Sequence, residues 1–61
     1  MEFRLIINCD NAAFIDNPSE LADILWSLAN KVDGVDITDK DKAYMLKDSN
    51  GNRVGLAETL K

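Results

Sequence analysis

A single helix that is marked at both ends most restricts how this chain can fold. The run from Asn17 to Glu20 reads N-P-S-E. The Asn side chain can accept a bond from a free backbone N–H, Pro has no N–H to lose, and Glu20 can reach back to the N–H of Asn17. Gly34 suits the left-handed conformation that often ends a helix. We therefore predict a helix from about Pro18 to Asp33.

The predicted helix has one apolar side. At about 100° per residue, its large apolar residues fall within a stripe about 100° wide, and polar residues lie opposite. The stripe consists of Leu21, Ile24, Leu25, Leu28 and Val32. We expect this side to pack against a sheet.

Three segments predict strands. In Glu2–Asn8, apolar residues alternate along the chain, which places Phe3, Leu5 and Ile7 on one face toward the helix. Ala43–Lys47 and Arg53–Glu58 flank an Asn-Gly turn and predict a hairpin.

Two registers of the hairpin are compatible with its turn. A two-residue turn pairs Leu46 with Gly55. A longer turn with Gly51 in the left-handed conformation pairs Leu46 with Val54 and opposes two basic side chains, Lys47 and Arg53. We favour the longer turn because it gathers large apolar residues on one face, namely Tyr44, Leu46, Val54 and Leu56. The other sheet face then carries Arg4, Ile6, Met45, Lys47, Arg53, Gly55 and Ala57.

The order of elements predicts an α+β fold: a single small β-α-β-β domain over residues 1–61, with a three-stranded sheet and one helix packed on one face. A chain of 61 residues supports only one small core. We expect Phe14 and Ile15 to close one end of it. The link from Val35 to Lys42 is compatible with more than one strand order.

The absence of histidine removes most catalytic and metal chemistry. With no His and one Cys, the chain has no Ser-His-Asp or Cys-His pair and no His-ligated metal. Cys9 is followed by Asp10, which disfavours a thiolate, so we expect a small, partly buried thiol. The loop Asp48–Asn52 lacks the Gly and Glu that a calcium loop requires downstream. We predict no enzyme activity, no catalytic residue, no cofactor and no metal site.

Charge and hydropathy limit the partners. The 11 acidic residues outnumber the 7 basic ones, for a net charge of −4. This argues against direct nucleic-acid binding, which depends on Lys and Arg. No apolar run reaches the ~18–20 residues of a membrane span, and no secretion signal is recognised. The expected location is the cytoplasm.

Trp26 and the acids around it are the candidate binding residues. Trp26 lies about 120–140° from the centre of the apolar stripe, so it either folds over the sheet edge or is exposed as an anchor for a partner. Five acids fall between positions 23 and 41. The predicted partner-binding residues are Trp26, Asp23, Asp33, Asp36 and Asp39.

Three segments together resemble a group of very short phage and prophage proteins. They are Asn8–Phe14 (N-C-D-N-A-A-F), Asp16–Pro18 and Leu46–Gly55 (L-K-D-S-N-G-N-R-V-G). That group has a D-N-A-A-F opening, an amphipathic helix and a D-x-N-G-N-x-V-G ending. The resemblance covers most of the chain and implies a phage setting in a bacterial host. It transfers no catalytic or binding residue, and the acidic link from Asp33 to Asp41 is longer here.

Two functions are compatible with these features. The first is a small acidic interaction module that binds a host protein or complex with a basic surface, such as an inhibitor of a host nuclease or defence complex. The second is an accessory or structural protein that forms a homodimer through its open sheet face or an edge strand. Acids gathered on one side favour the first function. An apolar patch around Ile6, Met45 and Ala57 favours the second.

Overall fold

The computed structural model describes all 61 residues and contains three strands and two helices. In chain order these are β1 (Glu2–Ile7), α1 (Ala12–Asp16), α2 (Glu20–Val32), β2 (Ala43–Lys47) and β3 (Arg53–Leu60). The strands form one antiparallel sheet in the order β1-β3-β2, with β3 in the middle. The predicted α+β fold with a three-stranded sheet is confirmed. The strand order, which the sequence left open, is now determined.

α2 begins at Glu20, two residues later than predicted, and Ser19 takes the N-cap position without a capping bond from its side chain. The bond predicted for the Asn17 side chain forms in the turn just before the helix. The Asn17 side-chain oxygen accepts a hydrogen bond from the Ser19 N–H at 3.0 Å, and the Asn17 carbonyl accepts one from the Glu20 N–H at 3.0 Å. The Glu20 carboxylate does not reach back to Asn17; it bonds to Ser49 in the hairpin turn. At the other end Gly34 has φ +77°, as predicted.

The hairpin turn has the predicted geometry. Gly51 has φ +83°, and its N–H donates to the Asp48 carbonyl at 3.0 Å. The Asp48 N–H donates to the Asn52 carbonyl at 2.9 Å, and the next pair is Lys47 opposite Arg53. This turn belongs to the register that we favoured.

Beyond that pair, a bulge shifts the hairpin into the other register. Val54 has no partner on β2, so Leu46 pairs with Gly55 and not with Val54. The prediction for the rest of the hairpin was therefore wrong. Because one extra residue reverses the alternation of side chains, Leu56 turns to the open face, and Ala57 lies beneath the helix, 0% exposed.

Gly55 allows β3 and β1 to approach closely at the bulge. A Cβ at this position would overlap the Ile6 carbonyl oxygen and lie 3.1 Å from the Ile7 Cα. No residue with a side chain fits there without moving β1. A lone glycine inside a strand is a sequence signal for such a contact.

The core is smaller than the sequence predicts because α2 covers only part of the sheet. A helix is about 10 Å wide and strands lie about 4.8 Å apart, so one helix covers about two strands. The buried cluster consists of Ile24, Leu28, Leu46, Val54 and Ala57, with Ile7, Phe14, Val32 and Tyr44 packed against it. Four residues predicted in the core are instead exposed: Phe3, Leu5, Leu21 and Leu25.

The short helix α1 was not predicted. Its Ala13 is buried, and Phe14 packs against the core as expected, whereas Ile15 is exposed and closes nothing. Neither helix is long and apolar enough to cross a membrane.

Candidate interaction surface

Trp26 lies near the middle of α2 on the side that faces away from the sheet, and 72% of it is exposed. The alternative in which it folds over the sheet edge is therefore not the arrangement found. The residues one turn before and after it on the same side are Ala22 and Ala29, both exposed. Because these neighbours are small, the indole is left uncovered.

Two of the predicted acids lie on the same side of the helix as Trp26. Asp23 precedes it by three residues, which makes the two side chains neighbours on the helix surface. Asp33 follows by seven residues, about two turns, and is the residue that caps the helix C-terminus. The helix therefore presents Trp26 between two exposed carboxylates.

The other two predicted acids belong to the loop after α2. Val32, the last helical residue, is about 9 Å further along the axis than Trp26, and both Asp36 and Asp39 come after it. The Asp36 carboxylate accepts bonds from the Thr38 hydroxyl at 2.6 Å and the Thr38 N–H at 2.9 Å. These bonds lower the pKa of Asp36 below its ordinary value.

Basic side chains lie on a different flank of α2. Lys31 faces Lys47 across a shallow groove between the helix and β2, with a volume of about 320 Å³. The groove is lined by Ile24, Ser27, Lys31, Met45, Leu46 and Lys47. Asp23 and Lys47 line an adjacent depression, so the basic flank of the helix reaches the edge of the surface around Trp26.

Two buried acids, Glu20 and Asp48, hold the fold together, a role the sequence did not reveal. Asp48 accepts bonds from the backbone N–H groups of Asn50 and Asn52, both at 2.9 Å, and from the Asn11 side-chain amide at 2.7 Å. Burial raises the pKa of Asp48, but these hydrogen bonds outweigh it and the pKa is lowered. The carboxylate oxygens of Glu20 and Asp48 therefore all accept hydrogen bonds from groups of this chain.

The acidic side chains and Cys9 do not cluster into a metal site. No three acidic or cysteine side chains come together in a way that would hold a metal ion. Both carboxylate oxygens of Asp48 already accept bonds, Oδ1 from backbone N–H groups of the turn and Oδ2 from the Asn11 side-chain amide. Cys9 is exposed, which corrects the expected partial burial, because the strand ends at Ile7 and the chain turns away from the sheet after Asn8.

Searches against models of protein families, curated proteins and solved structures found no match to this chain.

Proposed function

We propose that this chain is a small protein-binding module that engages a macromolecule with a basic surface through the outer side of α2. The observation that carries the proposal is the exposure of Trp26. Tryptophan is enriched among the residues that contribute most to binding energy, because it buries a large apolar area and can also donate a hydrogen bond.

The charges around Trp26 favour a basic partner. Asp23 and Asp33 flank the indole, and the only basic residue of α2, Lys31, lies on the flank that faces β2. Opposite charges would speed encounter and fix the orientation of the complex, whereas burial of the indole would supply most of the affinity. The loop acids Asp36 and Asp39 would contribute to encounter at longer range.

A more specific form of the proposal makes the partner a host protein. It is supported by the resemblance to short phage proteins, and the acidic surface suits a host nuclease or defence complex whose own basic surface binds nucleic acid. The chain would then act by occupying that surface stoichiometrically, in the cytoplasm of a bacterial host. The single cysteine is free, which is compatible with a reducing compartment.

The test compares two exposed apolar side chains. Wild type, Trp26→Ala and Ile15→Ala are used as baits in a bacterial lysate, and any captured protein is purified for binding measurements. We expect Trp26→Ala to weaken binding at least about 30-fold, as loss of a dominant contact does, and Ile15→Ala to have little effect. Equal binding by all three chains would contradict the proposal.

The electrostatic part has its own measurement. Asp23→Lys combined with Asp33→Lys should lower the association rate at low salt, and the difference should shrink as salt is added. An association rate that is unchanged at low salt would show that these carboxylates take no part.

A further inference from the structure

The edge strand β1 is exposed on both of its faces. It pairs with β3 alone, so its other side is a free edge. On the helix side of the sheet Phe3 is 41% and Leu5 is 39% exposed, and on the open side Ile6 is 63% exposed. A strand edge of this kind is a template for another strand.

β1 has few of the usual protections of an edge strand. It contains no Pro, and no bulge interrupts its pairing with β3. Its single basic side chain, Arg4, lies 4.0 Å from the Glu2 carboxylate, so the strand has no net charge with which to repel a second copy. Most of the acids of the chain are on α2 and the loop that follows it.

The ladder with β3 determines which backbone groups are free. The Asn8 N–H donates to the Val54 carbonyl at 2.8 Å, which makes these two residues a hydrogen-bonded pair. In an antiparallel ladder such pairs alternate along the strand, so the even-numbered residues of β1 bond to β3. The N–H and C=O groups that point outward belong to Phe3, Leu5 and Ile7.

From this pattern we infer that a second copy of the chain pairs antiparallel with β1, with the two-fold axis at Leu5. Phe3 then faces Ile7 of the second copy and Leu5 faces its own equivalent, so that every outward group of the strand is satisfied by about six hydrogen bonds. The two three-stranded sheets become one six-stranded sheet with the strand order β2-β3-β1-β1-β3-β2.

Other registers are less favourable. Shifting the pairing by two residues in one direction places Arg4 opposite Arg4 of the second copy and leaves Ile7 without a partner inside the strand. Shifting it the other way places Phe3 opposite Cys9, which lies outside the strand. The register centred on Leu5 instead places Arg4 opposite Ile6, whose apolar side chain can pack along the arginine stem.

The first measurement is the mass in solution as a function of concentration. Sedimentation equilibrium from about 1 μM to about 1 mM covers the dissociation constants of weak interfaces. We expect the mass to rise from 6.8 kDa toward twice that value. A chain that stays monomeric over the whole range would overturn the inference.

Substitutions then identify the surface. Leu5→Lys brings two like charges together at the axis and should weaken association at least about tenfold. Ile6→Lys faces Arg4 of the second copy and should also weaken it, whereas Ile6→Glu should preserve or strengthen it. Met45→Lys, on the same face but on the opposite edge strand, is the control and should have no effect. If Ile6→Glu and Met45→Lys both abolished association, the copies would pack face to face and the edge pairing would be wrong.

The register has a direct readout. In a Cys9→Ser background, chains with Arg4→Cys are mixed with chains carrying Ile6→Cys under mild oxidation. These two positions form a non-hydrogen-bonded pair across the axis, with Cα atoms about 4.5 Å apart, within disulfide range. Mixed dimers should cross-link faster than either variant alone. Equal rates would exclude this register. All these changes leave Trp26 in place, so their outcome is independent of the proposed partner binding.

Discussion

The carboxylate of Glu20 accepts two hydrogen bonds from Ser49, one from the backbone N–H at 3.1 Å and one from the hydroxyl at 2.7 Å, across 29 residues of sequence. Glu20 is the first residue of α2 and is 2% exposed. These bonds therefore fix the start of the helix on the hairpin turn.

Glu20→Ala should lower the free energy of unfolding by about 1.5–3 kcal/mol, because hydrogen bonds to charged groups are worth that much and the Ser49 N–H loses its acceptor. Urea unfolding measures the loss. Asp23→Ala is the matched control, since that exposed carboxylate bonds to nothing in the fold and its removal should change stability by less than about 0.5 kcal/mol. Equal effects would mean that the Ser49 contact does not stabilise the fold.

Asp48 should make stability depend on pH in the acid range. Its pKa in the folded chain is below the ordinary value of 3.8. A carboxyl of this kind stabilises the fold above its unfolded pKa and loses that contribution as the pH falls through the folded pKa. The difference in unfolding free energy between wild type and Asp48→Asn should therefore shrink as the pH falls from about 5 through the folded pKa of Asp48.

A control is needed because Asp36 has a pKa shifted in the same direction. Asp36→Asn should remove only its own loop contribution and leave the part that depends on Asp48. If the difference in unfolding free energy between wild type and Asp48→Asn did not change with pH, the acid sensitivity could not be assigned to Asp48.

Gly55→Ala should lower the free energy of unfolding more than Gly34→Ala does. The new Cβ at position 55 meets the Ile6 backbone, so the cost should be at the upper end of the about 1–3 kcal/mol found for overpacking. At Gly34 a new Cβ would have nothing within 4 Å. The cost there comes only from the positive φ, which strains a residue with a side chain, and should be about 1 kcal/mol. Amide hydrogen exchange should speed up along β1 in Gly55→Ala alone. Unchanged exchange there would refute the close approach.

Truncation to Ala should lower the free energy of unfolding strongly at one residue of α2 and hardly at all at another. Leu28 is buried in the core cluster, and Leu28→Ala should cost about 2–5 kcal/mol. Trp26→Ala should change the free energy of unfolding by less than about 0.5 kcal/mol, because the indole is exposed. Thermal unfolding of both variants tests this. A large loss of stability in Trp26→Ala would mean that the indole packs within the fold.

The parts of the fold that depend on neighbouring residues could be predicted from the sequence. Asn17 and Gly34 mark the helix through local backbone chemistry, and Gly51 determines the turn in the same way. β2 was predicted with its observed bounds. β3 begins where it was predicted to begin and ends at Leu60, two residues later than predicted.

The parts that depend on distant contacts could not be predicted. The register of Leu46 follows from a bulge beside Gly55, where β1 comes so close that a Cβ would overlap the Ile6 backbone. For Trp26 the helical wheel left two positions open, and the choice depends on where the sheet ends beneath the helix. Glu20 had a local partner available, but a turn from the other end of the chain supplied better donors.

The central strand of the sheet is also its last strand in the sequence. Glu2 pairs with Leu60, so the ladder between β1 and β3 joins nearly the whole length of the chain. As the protein is synthesised, β1 and β2 emerge before β3, which is the strand to which both of them bond. Closing so long a loop is slow compared with forming local contacts. We therefore expect a nascent chain to remain without its sheet until residues 53–60 have been added.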